Sequence, residues 1–406
     1  MSKTYRYLWR EITTKMIEVK EALKIIDSKT SALTGSEVLS LTESVGLSLI
    51  EDIISPINMP PFRQSAMDGY AICIHKNKQY KVVGEIKAGD SQNPILKPGE
   101  AVRIFTGAPV PDSSDAVIMQ EKTIRNEHLL NLQEEPLSQS NIRPLGEQIK
   151  KKEIALKKGT ILSPAAIGFL TTLGISKVTT CKKPSVGIIV TGSELVKPGN
   201  PLKYGQIYES NGMMLSAALQ KAAYNDHQLF KVSDDYEATL KLIKQVFLDK
   251  DLLLISGGIS VGDYDFVGRA LEELKVEQLF YKIKQKPGKP LFFGKKENKF
   301  VFALPGNPAA ALSCFYIYVM RCMAILSGNK EFEPTKTEAI SSFEYVKKGN
   351  RAQFLKAHFS NGNVQILDGQ SSAMLHSFSI ANALVYIDNE TKEIKVGDKL
   401  KLILLP

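Results

Sequence analysis

A chain of 406 residues that is 43% hydrophobic is expected to fold, with room for roughly two to four domains. Lys plus Arg number 52 against 43 Asp plus Glu, and the resulting net charge of +9 favours anionic partners. The basic residues are dispersed rather than gathered on one element, which argues against a nucleic-acid surface. In chain order, MIEVKEALKIIDS carries apolar residues at helical spacing, and GSEVLSLTESVG mixes strand alternation with turn residues. Pro60 and Pro61 make INMPPFRQSAMDGYAI an extended segment. From Tyr80 to Gln120, short strands (YKVVGEI, AVRIFTGAPVP, AVIMQ) broken by Gly and Pro predict a small β domain, which EHLLNLQ continues. NIRPLGEQI leads into a lysine-rich connector, and SPAAIGFLTTLGI opens a helix at Ser163 with proline following.

From Pro184 strand and helix alternate. PSVGIIVTG, QLFKVSDD and DLLLISGG read as strands; NGMMLSAALQKAA, with Asn211 as expected N-cap, and YEATLKLIKQVFLD read as helices. That alternation predicts a mostly parallel, doubly wound sheet with ligands outside the carboxyl ends of its strands. Beyond about Glu331, short strands with turn signals at NGN, DGQ and VGDK predict a small barrel-like β domain. The expected division is therefore 1–58 (helical and linking, completed by about 140–180), 59–139, 181–328 and 329–406.

Cys73, Cys181, Cys314 and Cys322 form no CxxC pair, so free thiols in a reducing cytosol are expected. The five histidines have no zinc-like spacing. MSKTYRYLWREITTK lacks the apolar core of a signal peptide. Arg321 interrupts the apolar run Ala309 to Leu326, which reads as a buried helix rather than a membrane span.

Three predicted strand ends carry glycine-rich polar turns: TGSEL with Glu194; SGGISVGDYD with Ser256, Gly257, Gly258, Ser260, Gly262, Asp263 and Asp265; and ALPGNPAAA with Pro305, Gly306, Asn307 and Pro308. Glycine turns and helix N-termini expose N–H groups to an anion. Carboxylates beside an anion require a divalent cation between them, so phosphate with Mg²⁺ is the self-consistent pairing. Any one turn reads as plain geometry; three at corresponding strand ends point to a site. None is a P-loop. In YKIKQKPGKP, Lys282, Lys284 and Lys286 share one strand face, followed by Lys289. They read either as a solvated edge or as a cationic wall for an oxyanion. Asp68 in SAMDGYA, Thr106 in FTGAPVP and Arg143 in NIRPLGEQ have no specific chemistry when taken singly.

Together SAMDGYA, FTGAPVP, IRPLGE, TGSEL, SGGISVGDYD, KPGKP and LPGNP, in this order and from about Met16 onward, resemble the molybdopterin molybdenumtransferase family, which includes MoeA-like proteins and the corresponding domain of gephyrin. The resemblance implies an α/β plus β multidomain fold, with a central molybdopterin-binding-type α/β domain, an N-terminal helical/β region and a C-terminal small β-barrel. It implies insertion of molybdate into adenylylated molybdopterin with release of AMP, in a cytoplasmic homodimer whose cleft lies between subunits. Carried over motif by motif, the catalytic candidates are Asp68, Thr106, Glu194, Asp234, Asp265, Lys282 and Lys286. The metal candidates are Asp263, Asp265 and Glu194, holding Mg²⁺ to the substrate's pyrophosphate. Ser256, Gly257, Gly258, Ser260, Gly262, Lys289, Pro305, Gly306, Asn307, Pro308 and Arg143 are expected to bind substrate. Lys282 and Lys286 would stabilise charge as the phosphoanhydride breaks, and Asp265→Asn would abolish AMP release with the fold intact.

The sequence departs from the family at Gln148, where a carboxylate is usual, and at Ser371-Ser372-Ala373, where a glycine-containing turn is common. The rival activities are the preceding ATP-dependent adenylyltransferase, which shares the α/β domain and is a possible partner, and a scaffold that keeps the fold for binding. The flanking β domains and SAMDGYA speak against the first. The carboxylates and lysines of the cleft speak against the second.

Overall fold

Leu252–Ser256, the apolar run before the double glycine, lies inside a seven-stranded sheet. The computed structural model describes residues 16–259 and 266–406. They form two compact units, residues 16–36 with Cys181–Pro406, and Glu37–Thr180.

In the first unit the sheet is built from β1 (Met16–Ile17), β2 (Val186–Thr191), β3 (His227–Val232), β4 (Leu252–Ser256), β5 (Glu277–Ile283), β6 (Pro290–Lys296) and β7 (Lys299–Leu304), in the order β1-β5-β6-β7-β4-β2-β3. Neighbours pair parallel except where β6 meets β5 and β7, so the mostly parallel sheet is present. Every residue of β2 and β4 is buried, which is why neither shows a period-two pattern. Alternate residues serve opposite faces. Ile188, Val190, Leu252 and Leu254 pack with Leu215 and Leu219 of α2 (Asn211–Lys221). Ile189, Leu253 and Ile255 pack with Ile243 and Val246 of α3 (Tyr236–Asp249) and Val267 of α4 (Phe266–Glu273).

The helix α1 (Val19–Lys29) departs from the expected N-terminal region. Its stripe Val19, Ala22 and Ile26 is buried in the core of the α/β unit. Residues 37–58 pair with the later part of the second unit, Ile53–Ile54 against Ile154–Leu156, within the 140–180 stretch expected to complete them. The predicted run Ala309 to Leu326 lies in Pro308–Leu326, which passes by length and composition for a membrane span but is 78% buried as a core helix. Arg321 is not an interruption: its guanidinium forms a forked ion pair with Asp27 of α1. Burial pushes the Cys314 and Cys322 thiols up to about 12, leaving them as small apolar fillers.

Beyond α/β, the strands Lys336–Ser341, Ala352–Ser360, Asn363–Ile366, Ala383–Ile387 and Lys399–Leu404 close into a five-stranded barrel, because Ala352–Ser360 pairs with both Asn363–Ile366 and Ala383–Ile387. Gln285–Lys286 adds to this barrel beside Ala352–Gln353, tying the lysine loop to it.

The second unit is a six-stranded sheet in the order Ala116–Met119, Gly69–Ile72, Glu100–Ile104, Gln79–Ile86, Leu129–Leu132, Thr123–Asn126. Its helix Pro164–Thr172 is capped as expected, with Ser163 Oγ accepting from the Ala166 N–H at 3.2 Å.

Candidate active site

The register places Ser256 beside both Leu304 and Val190, so β7, β4 and β2 end level with one another. The turns LPGNP, SGG and TGSEL therefore lie side by side, and they line a cavity of about 1070 Å³. Gly257 has φ +95, and a Cβ there would lie 2.7 Å from both Thr191 O and Thr191 Oγ1. Only glycine fits, and the backbone is left bare as the sequence suggested.

Asn211 ties the turns together. It is the first residue of α2 rather than its N-cap: Nδ2 donates to Ser256 Oγ and to Gly306 O, both at 2.7 Å. Capping passes to Glu209, whose Oε1 accepts the Gly212 N–H at 2.7 Å, a carboxylate favoured by the positive end of the helix. Among the described residues, the buried Oδ1 of Asn211 and Oγ1 of Thr191 have no hydrogen-bond partner, and both residues line the cavity. Asn307 holds the expected cap position before Pro308, but its Nδ2 is directed to Ser372 Oγ at 2.8 Å.

Glu194 and Asp234 are the exposed carboxylates of the lining. Asp234 Oδ2 accepts the Ser193 N–H at 2.8 Å and its own N–H donates to Ser193 Oγ at 3.2 Å, which locks the turn after β3 to TGSEL. Lys286 and Lys289 also line the cavity. Lys282 does not: its ammonium lies 5.2 Å from the Tyr281 ring centroid. Lys284 pairs with Glu18 at 3.0 Å. The expected face exists, since Tyr281, Ile283 and Gln285 are buried between the lysines. Its lysines separate because β5 ends at Ile283 and, after Lys284, Gln285–Lys286 join the barrel. Buried Gln285 shapes the lysine loop, its Nε2 donating to Pro287 O at 3.0 Å and Gly288 O at 3.1 Å while Tyr318 donates to its Oε1.

The barrel adds Arg351, Ser372 and Ala373 to the lining. Sequence reasoning missed Arg351 and set aside Ser372, because neither lies in a periodic element or a glycine turn. Ser260, Gly262, Asp263 and Asp265 lie outside the described residues. Among the described residues no group of three or more His, Cys, Asp or Glu is placed to hold a metal.

In the second unit, three motifs converge. Asp68 Oδ1 accepts the Thr106 N–H at 2.7 Å, and Arg143 pairs in register with Gln64. Arg103 donates to Gly69 O at 3.1 Å and lies over the Tyr70 and Phe105 rings. Gln148 is exposed, its N–H donating to Met59 O at 2.9 Å. The Thr106 hydrogen bonds, with a smaller contribution from Arg103, hold the Asp68 carboxyl below the usual aspartate range. Asp68 therefore stays ionised through neutral pH. Its stabilising contribution is complete above the unfolded aspartate pKa and is lost as pH falls through the lowered folded value. An NMR titration of this carboxyl is expected to show the lowered midpoint, and an ordinary midpoint would contradict the bond.

A multidomain chain with its cavity at the carboxyl ends of a doubly wound sheet defines the class, an α/β enzyme fold completed by a β-barrel. The chain matches the MoeA N-terminal region (domain I and II) over residues 17–174, the probable molybdopterin binding domain over 187–324, and the MoeA C-terminal region (domain IV) over 338–405. It is 36% identical over 380 residues to a molybdopterin molybdenumtransferase of Haemophilus influenzae, covering 91% of this chain and 94% of the relative. A Staphylococcus aureus protein of the same name is 31% identical over 400 residues, covering 96% and 95%. The solved MoeA structure from Pyrococcus horikoshii superimposes with a TM-score of 0.82 at 29% identity, over 96% of this chain and all of that one. The chain belongs to the molybdopterin molybdenumtransferase family.

Proposed function

We propose that this enzyme carries out molybdenum insertion in molybdenum cofactor biosynthesis, transferring molybdate to adenylylated molybdopterin with release of AMP. The observation that supports it most is the cavity itself, lined by three bare strand-end turns, two lysines and two exposed carboxylates, Glu194 and Asp234. A tetrahedral dianion and a pyrophosphate are both held by N–H groups and ammonium ions. In the proposed mechanism Lys286 and Lys289 bind the oxyanions and stabilise charge as the phosphoanhydride opens. The turns at Ser256–Gly258 and Pro305–Pro308 orient the phosphates. No side-chain nucleophile is needed: water adds to the phosphoanhydride phosphorus as the P–O bond to AMP breaks, and the dithiolene sulfurs bind molybdenum as a molybdate oxygen leaves as water.

Mg²⁺ fits this donor set. A magnesium ion shared with phosphates needs only one or two protein carboxylates, and Glu194 and Asp234 lie on the cavity wall. We assign Glu194, with Asp263 and Asp265 from the sequence, to hold it; when bound it would neutralise the pyrophosphate. Lys282, Thr106, Asp68 and Arg143 remain proposed site residues. They rest on the motif resemblance, as do cytoplasmic location, a homodimer in which SAMDGYA of one copy completes the cleft of the other, and contact with the pathway's adenylyltransferase.

The adenylyltransferase alternative is tested by incubating the protein with free molybdopterin, ATP and Mg²⁺. No ATP consumption is expected, whereas stoichiometric conversion to an adenylylated product would overturn the assignment in favour of the preceding step.

A further inference from the structure

We propose that Lys356 is a positioning residue for the cavity, acting through the loop that carries Ser372. Lys356 is 4% exposed and lies within a run of six buried residues, Ala352 to Ala357. An ammonium there requires acceptors. It finds three carbonyls in a single loop: Gly369 O at 2.7 Å, Met374 O at 2.9 Å and Ser371 O at 3.2 Å. The backbone of the same residue is tied to the same loop. Its N–H donates to Gln370 Oε1 at 3.0 Å, and Gln370 Nε2 donates to Lys356 O at 2.8 Å and Leu367 O at 2.7 Å.

Residues 367–375 form no strand or helix, so side-chain bonds of this kind set the loop's shape. The loop then delivers Ser372 to the cavity wall. Ser372 Oγ accepts from Asn307 Nδ2 at 2.8 Å, and Ser372 O accepts the Ala310 N–H at 3.2 Å. The chain of contacts runs from a buried ammonium in the barrel, through three carbonyls, to the cap of the LPGNP turn. Among the described residues, the hydrogen bonds of the Lys356 ammonium go to this loop and not to the α/β turns. Its effect on the reaction is therefore exerted through Ser372 and Asn307.

The inference rests on the reading of the cavity as the site for adenylylated molybdopterin. Lys356→Met keeps the apolar stem and removes the cation; Lys356→Arg restores a cation. For Lys356→Met, KM for adenylylated molybdopterin is expected to rise about tenfold with kcat within about threefold, and Lys356→Arg to recover most of that loss. Combined with Ser372→Ala, the two losses are expected not to multiply, since both act through one contact. Amide exchange of 369–375 and 307–312 is expected to accelerate in Lys356→Met, while 383–387 in the barrel wall stays protected. Should Lys356→Met fail to fold, Gln370→Ala cuts the same loop's other tie and is expected to reproduce the exchange pattern. Multiplicative losses, or unchanged exchange at 369–375, would overturn the proposal. If the unsubstituted protein releases no AMP, the reading of the cavity fails, and the exchange data alone decide whether Lys356 positions the loop.

Discussion

Lys286→Met is expected to lower kcat/KM for molybdate-dependent AMP release by about a hundredfold, with the fold unchanged. Lys286 is exposed at the cavity, and its backbone is fixed by pairing with Gln353 of the barrel. Placed ammonium groups are worth more against developing phosphate charge inside a walled site than in open water. Loss of one such preorganised donor typically costs a factor of about 10²–10³. Arginine is not an equivalent replacement, because its planar fork presents charge differently from a point-like ammonium. Lys284→Met is the matched control: that lysine pairs with Glu18 and does not line the cavity, so its loss is expected to change turnover by about twofold or less. Equal turnover by Lys286→Met and the unsubstituted protein would remove the proposed role.

Gly69→Ala is expected to be the most destabilising single-methyl change in the second unit. A Cβ at Gly69 would lie 1.9 Å from Ile118 O, in the neighbouring strand's backbone. Gly69 faces Met119, and Tyr70 faces Ile118, in an antiparallel ladder. A carbonyl cannot rotate away like the end of a flexible side chain, so the two strands must part at this end. Overpacking of this kind costs about 3 kcal/mol. The distortion begins one residue from Asp68, whose bond to the Thr106 N–H lies at the same strand end. Urea denaturation of the full chain is expected to show the transition of residues 37–180 at clearly lower urea. An unchanged midpoint would mean the ladder opens there without cost.

These two positions also mark what was legible in the sequence. The doubly wound sheet was readable because β2 and β4 are unbroken apolar runs that end in glycine, while α2 and α3 keep a helical period. Their shared cavity followed from the rule that parallel strands end on one side. What could not be read is long-range. α1 joins the core of a domain that begins more than 150 residues later, and nothing local in its amphipathic stripe chooses that partner. Asn211 looked like a cap because its position and residue type suit one; only the fold reveals Ser256 and Gly306 within its reach. Lys282, Lys284 and Lys286 shared a predicted face, and the passage of the chain from sheet to barrel sent them to different surroundings. Arg351 carried no signal at all, since a lone arginine after a turn is usually a solvated charge.

The central claim is transfer of molybdate with loss of AMP, and chromatography of nucleotide released from adenylylated molybdopterin in the presence of Mg²⁺ tests it most directly. AMP release that depends on molybdate, and that is lost in Asp265→Asn, is the predicted result. Intact adenylylated molybdopterin after incubation with molybdate, still bound to folded protein, would contradict it and leave a binding fold without the transfer chemistry.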